Sequence, residues 1–127
     1  MSNINSAAST NSVVGQILNI DAIVRDKMRA IILLKRLDVL ANQMMDIAEM
    51  MDLTNSEYIK RRLLDKYIGP TTEFFNTLSE LPERYKAKTI EKIEKWADTN
   101  NFEDAEFSPV KFHRTLFRDL LAEVVNN

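Results

Sequence analysis

Residues 19–52 run for 34 residues without a glycine or a proline. Their hydrophobic positions alternate four- and three-residue steps at Ala30, Leu34, Leu37, Ala41, Met44, Ala48 and Met51. That spacing is a heptad seam sustained over three heptads, as in a coiled coil, and it obliges the segment to lay one side along other helices. At ~1.5 Å per residue such a helix is ~50 Å long.

The apolar face is wide. Between Ala30 and Met51, fifteen of 22 residues are apolar. At ~100° per residue the polar ones occupy a little under half of the circumference. Even there Ile31, Ile32, Val39 and Met50 intrude. A helix of this kind is central and is touched from several directions. Lys27 falls on the seam and is expected to snorkel or to end tight packing at that level.

Only Gly15, Gly69, Pro70, Pro82 and Pro109 punctuate the 127 residues, which disfavours an all-β fold with its many turns. One domain is expected over residues 13–127, preceded by a flexible tail over 1–12. That tail has neither the basic start nor the apolar run of a secretory signal. The longest apolar run, 30–34, is far short of the ~20 residues that span a bilayer. The chain has no cysteine, hence no disulfide framework, which fits a reducing compartment. A soluble, cytoplasmic protein without membrane contact is expected.

Downstream, Thr54-Asn55-Ser56-Glu57 has the form of a capping box and opens a helix over 56–68, with Ile59, Leu63, Leu64, Tyr67 and Ile68 inward. Gly69-Pro70 is expected to stop it, glycine as a left-handed cap and proline as a barrier. A short helix over 71–81 follows, carrying Phe74, Phe75 and Leu78. Leu81-Pro82-Glu83 opens another, 82–99, striped by Tyr85, Thr89, Ile90, Ile93, Trp96 and Ala97. Ser108-Pro109 starts the last, which runs to about Val125 with Phe112, Leu116, Phe117, Leu120, Leu121 and Val124 inward. The fold class expected is all-α, a bundle of four to five helices around one long amphipathic helix.

Few residues offer chemistry. The sole histidine, His113, lies on a helix flank, and no glycine-framed nucleophile or phosphate loop complements it. No catalytic residue is assigned, and an enzyme is not expected. A di-iron bundle would need Glu three residues before His113, where Val110 stands. The loop beginning at Asp98 resembles a calcium loop for three positions, then puts Glu103 at the sharp-turn glycine and Pro109 at the bidentate glutamate. No metal and no cofactor are assigned.

Net charge is −2, with both signs mixed along the chain. Residues 1–53 hold five Lys/Arg against six Asp/Glu, and 54–101 hold nine against eight. Bulk attraction to phosphate backbones is therefore not expected. The helices around Gly69-Pro70 mimic a helix-turn-helix, but the second has no Lys or Arg to read a groove. The first carries Lys60, Arg61, Arg62 and Lys66, the basis of an alternative reading as a weakly nucleic-acid-associated protein.

The methionines point elsewhere. Met44, Met45, Met50 and Met51 fall within eight residues, and flexible, polarizable thioethers serve both irregular cores and adaptable binding surfaces. They point in different directions, and one small monomer would need helices on nearly every side to bury them all. The expected function is a non-catalytic protein–protein interaction module, such as an assembly factor, adaptor, inhibitor or small structural subunit. Self-association through the long helix is expected, with Ile32, Val39, Met45, Met50 and Met51 as partner-binding residues. The identity of any other protein partner is not written in the sequence.

Overall fold

The computed structural model describes residues 2–99 and 114–127. Four helices lie within them: α1 (Ser2–Leu53), α2 (Glu57–Glu80), α3 (Glu83–Thr99) and α4 (Leu116–Asn126). The described chain contains no strand, and the expected all-α bundle around one long helix is what it forms. The start expected at Ser108-Pro109, together with Phe112, His113 and the calcium-like loop beyond Thr99, lies outside the described residues.

The heptad seam of α1 is the core. Ala30, Leu34, Leu37, Ala41, Met44 and Ala48 are all buried, and Leu33 and Leu40 join them on the same side. Met51 closes the row half-buried. Alanines at three of these positions let neighbouring helices approach, while leucine and methionine fill the space between. Against this face pack α2, through Phe74 and Leu81, and α4, through Leu116, Phe117, Leu120 and Val124. The Phe74 and Phe117 rings meet edge to face at 5.5 Å, a favoured aromatic geometry that ties α2 to α4 over α1. Tyr85, Ile93 and Trp96 of α3 pack on the cluster from its edge.

Helical geometry in α1 begins at Ser2, upstream of the expected start near Val13. No proline interrupts the segment, and Gly15 continues the helix with nothing within 4 Å of its side-chain position.

Between the first two helices, the cap is Ser56 rather than Thr54. The Ser56 hydroxyl accepts from the Ile59 amide at 3.3 Å, and the Thr54 hydroxyl accepts from the Ser56 amide at 3.3 Å. The two hydroxyls divide the work expected of one.

The largest difference from the sequence expectation lies at Gly69-Pro70. Helix α2 runs straight through both, so the two expected helices are one of 24 residues. Gly69 does not adopt the left-handed conformation that a glycine cap requires. Proline removes one amide donor and its ring crowds the carbonyl of Lys66. Packing offsets that cost. Leu63, Tyr67, Pro70, Phe74, Thr77 and Leu81 keep four- and three-residue steps, so the inward stripe stays in phase across the proline, and all six are buried or half-buried. The Thr71 hydroxyl donates to the Tyr67 carbonyl at 2.7 Å, one residue along from the Lys66 carbonyl that loses its donor.

This continuity also changes which side chains are inside. Ile59, Leu64, Ile68 and Phe75, expected inward, are exposed, while Leu63 and Phe74, also expected inward, are buried. Ile90 is likewise exposed, while Thr89 beside it is buried with its hydroxyl donating to the Tyr85 carbonyl at 2.7 Å.

At the far end, Leu81 is extended (φ −58°, ψ 139°), as the residue before a proline prefers, and its side chain plugs the core. The Pro82 carbonyl then accepts from the Tyr85 and Lys86 amides, each at 2.9 Å, and starts α3.

Candidate interaction surfaces

What α1 leaves uncovered is the most conspicuous feature of the molecule's surface. Its outward row carries Met28, Ile32, Val39 and Met50, each between 47% and 65% exposed. Of the five residues assigned to partner binding, Ile32, Val39 and Met50 lie on this open row. Met45 and Met51 are half-buried, and Met45 packs against the core. The methionine cluster is thus split by direction: Met44 is fully buried, while Met50 faces out.

Upstream lies a second set with a different origin. Val13, Ile17, Ile20 and Val24 are spaced four, three and four residues apart, and each is about half exposed. Val14 and Ile23 add to the same stretch. Placing a domain boundary before Val13 and the settled helix at Asn19 hid this stripe, although its heptad steps stand in the sequence. Residues 1–20 carry no charged side chain; the first is Asp21.

Ion pairs clamp the bundle rim. Arg114 donates to Asp46 at 2.8 Å, Glu49 at 2.9 Å and Asn42 at 3.2 Å. It fixes the entry to α4, whose cap residue Thr115 makes no side-chain cap bond. Hydrogen bonds to Glu49 and then Asp46 raise the Arg114 pKa further. Arg36 of α1 pairs with Glu73 of α2. Lys92 donates to Glu123 at 2.6 Å, joining α3 to α4. Lys88 stands 3.1 Å from the other Glu123 oxygen. Lys92 first and Lys88 second hold the Glu123 carboxyl below its ordinary range.

A cleft of about 160 Å³ lies beside this last clamp, where Ile23 and Lys27 of α1 meet Arg84, Tyr85 and Lys88 of α3. Its one carboxylate, Glu123, is already held by the two lysines. Lys27 is half-buried there, which accounts for its place at the end of the tightly packed seam. No group of three metal-ligating side chains occurs among the described residues.

The basic cluster lies on the first half of α2. Arg61, Arg62 and Lys66 are exposed and Lys60 is half-buried. Arg62 donates to the Tyr58 hydroxyl at 3.0 Å and stands 5.4 Å from its ring centre, so part of its capacity is used locally. The helix-turn-helix likeness does not survive, since a single helix replaces the turn.

No described helix is long and apolar enough to cross a membrane. No protein-family model matches the sequence, and no curated protein and no solved structure matches it either.

Proposed function

We propose that this chain is a non-catalytic, cytoplasmic protein–protein interaction module, an assembly factor, adaptor, inhibitor or small structural subunit, that self-associates through α1. The observation that carries this reading is the outward row of Met28, Ile32, Val39 and Met50 on a helix whose opposite side is fully packed. Single exposed apolar residues are ordinary, but aligned rows of them mark interaction surfaces.

The continuous α2, 24 residues and ~36 Å long, is long enough to span the buried part of α1, residues 30–48. The uncovered part is the outward row and the N-terminal half, and these are what a partner would cover.

Light scattering at tens of micromolar tests the reading. A mass at least twice the 14.7 kDa of the chain is expected, and a clean monomer would overturn self-association. The alternative, weak nucleic-acid association through Lys60, Arg61, Arg62 and Lys66, keeps the support of three exposed cations on one helix. It requires duplex binding that falls steeply with salt, and no binding at low salt removes it.

A further inference from the structure

Resting on the self-association proposed above, we infer that a second copy docks antiparallel on the arm of α1, about a two-fold axis between Leu18 and Asn19. Val13 then faces the partner's Val24, and Ile17 faces the partner's Ile20.

The stripe itself carries the argument. Val13, Ile17, Ile20 and Val24 are 54%, 56%, 59% and 49% exposed, with steps of four, three and four residues. Both the spacing and the residue types read the same in either direction, Val-Ile-Ile-Val. A two-fold axis at the centre of the stripe therefore superposes it on itself, as an isologous contact requires.

Its own bundle cannot cover it. At ~100° per residue the stripe lies roughly a third of a turn round α1 from the buried seam. It is a second apolar face, not the core seam running past the end of the bundle.

Met28 extends the stripe on the same side of α1, whereas Val14 and Ile23 lie on opposite flanks and Ile23 lines the cleft against α3. Five half-exposed apolar side chains along one side of a helix form an aligned patch of the kind that marks an interaction site.

Charge decides the direction. In parallel pairing Lys27, three residues beyond Val24 and next in the stripe's spacing, would face its own copy, and like charges directly opposed are destabilising. In the antiparallel arrangement Lys27 lies opposite residue 10 of the second copy, within a stretch, residues 1–20, that carries no charged side chain. The partner's arm then passes along the side of α1 that holds Val24, Met28 and Lys35, all of them exposed.

The absence of native cysteine makes the test clean. Val13→Cys and Val24→Cys are prepared separately, mixed and mildly oxidised, with the mass in solution measured in parallel. The expected result is a disulfide-linked dimer in the mixture and its loss when either variant is oxidised alone. Efficient linkage of Val13→Cys to itself would overturn the antiparallel arrangement. No linkage in the mixture, from a protein that is still dimeric, would overturn docking on the arm and leave self-association standing. A monomeric wild type would overturn both.

Discussion

The two halves of α1 use similar residues to opposite ends. From Ala30 to Ala48 the seam is buried beneath α2 and α4, whereas from Val13 to Met28 the apolar side chains are about half exposed. The buried half combines leucine and methionine, which suit a helix, with alanine, which admits close neighbours. The exposed half is rich in valine and isoleucine, whose branched side chains are stiff in a helix and contribute less to its stability. It also contains Gly15. A helix of that composition is marginal by itself and gains most of its stability from packing. One half is therefore held by the fold, and the other is stabilised in proportion to what covers it.

The sharpest way to break this comparison is a charge on each side of α1. Met44→Glu should lose several kcal/mol, because an unpaired carboxylate would enter a fully buried site. Met50→Glu should change unfolding free energy by less than ~0.5 kcal/mol, because that side chain already meets solvent. Denaturant melts of both, paired with light scattering, give the contrast. Equal destabilisation would show the outward row to be core, and equal indifference would show that α1 packs on another face.

Next in size are Leu37→Ala and Phe117→Ala, each expected to cost ~2–5 kcal/mol through lost burial and a cavity. A change below ~0.5 kcal/mol in both would overturn the assignment of the core. Ile17→Glu with Ile20→Glu should leave the melting transition of the bundle near its wild-type position, since neither side chain contributes to the buried cluster.

Smaller, and opposite in sign, is Gly69→Ala. Nothing lies within 4 Å of the added methyl, and the backbone is not left-handed. Inside a continuous helix this change should stabilise by ~0.5–1 kcal/mol. Were Gly69 a helix cap, the same substitution would destabilise, so a thermal melt separates the two descriptions.

The smallest effect is the acid dependence of the α3–α4 clamp. Glu123 has its folded pKa lowered by Lys92 and then Lys88. Its contribution is therefore present above the unfolded carboxyl pKa and is lost as pH falls through the folded one. Glu123→Gln should flatten the acid limb of the stability profile and lower neutral-pH stability by the same small amount, because the clamp is partly exposed and screened.

Much of the fold was legible because the seam of α1 is periodic. Ala30 to Ala48 follow the heptad spacing and are all inside. Thr89 and Phe117 likewise follow the stripes of their helices. The break at Gly69-Pro70 was misread because local propensity pointed one way and tertiary packing another. Six positions from Leu63 to Leu81 kept phase across the proline, and that phase, rather than the Gly-Pro pair, marked the single helix. Leu64, Ile68 and Phe75 lie outside because each sits one position beyond a residue of that stripe, Leu63, Tyr67 and Phe74. On the surface, Ile32, Val39 and Met50 could be placed from their angle on α1. The Val13–Val24 stripe was passed over because a charge-free N-terminus reads as a tail.

Hydrogen exchange measured at two or more protein concentrations tests the central claim most directly, because it reports both halves of α1 in one experiment. Amides over 30–48 should be strongly protected at every concentration, as the monomer's own core requires. Protection over 13–24 should rise with concentration and disappear on dilution, as a second copy covers the arm and then leaves it. Exchange over 13–24 that stays the same at all concentrations would contradict the account.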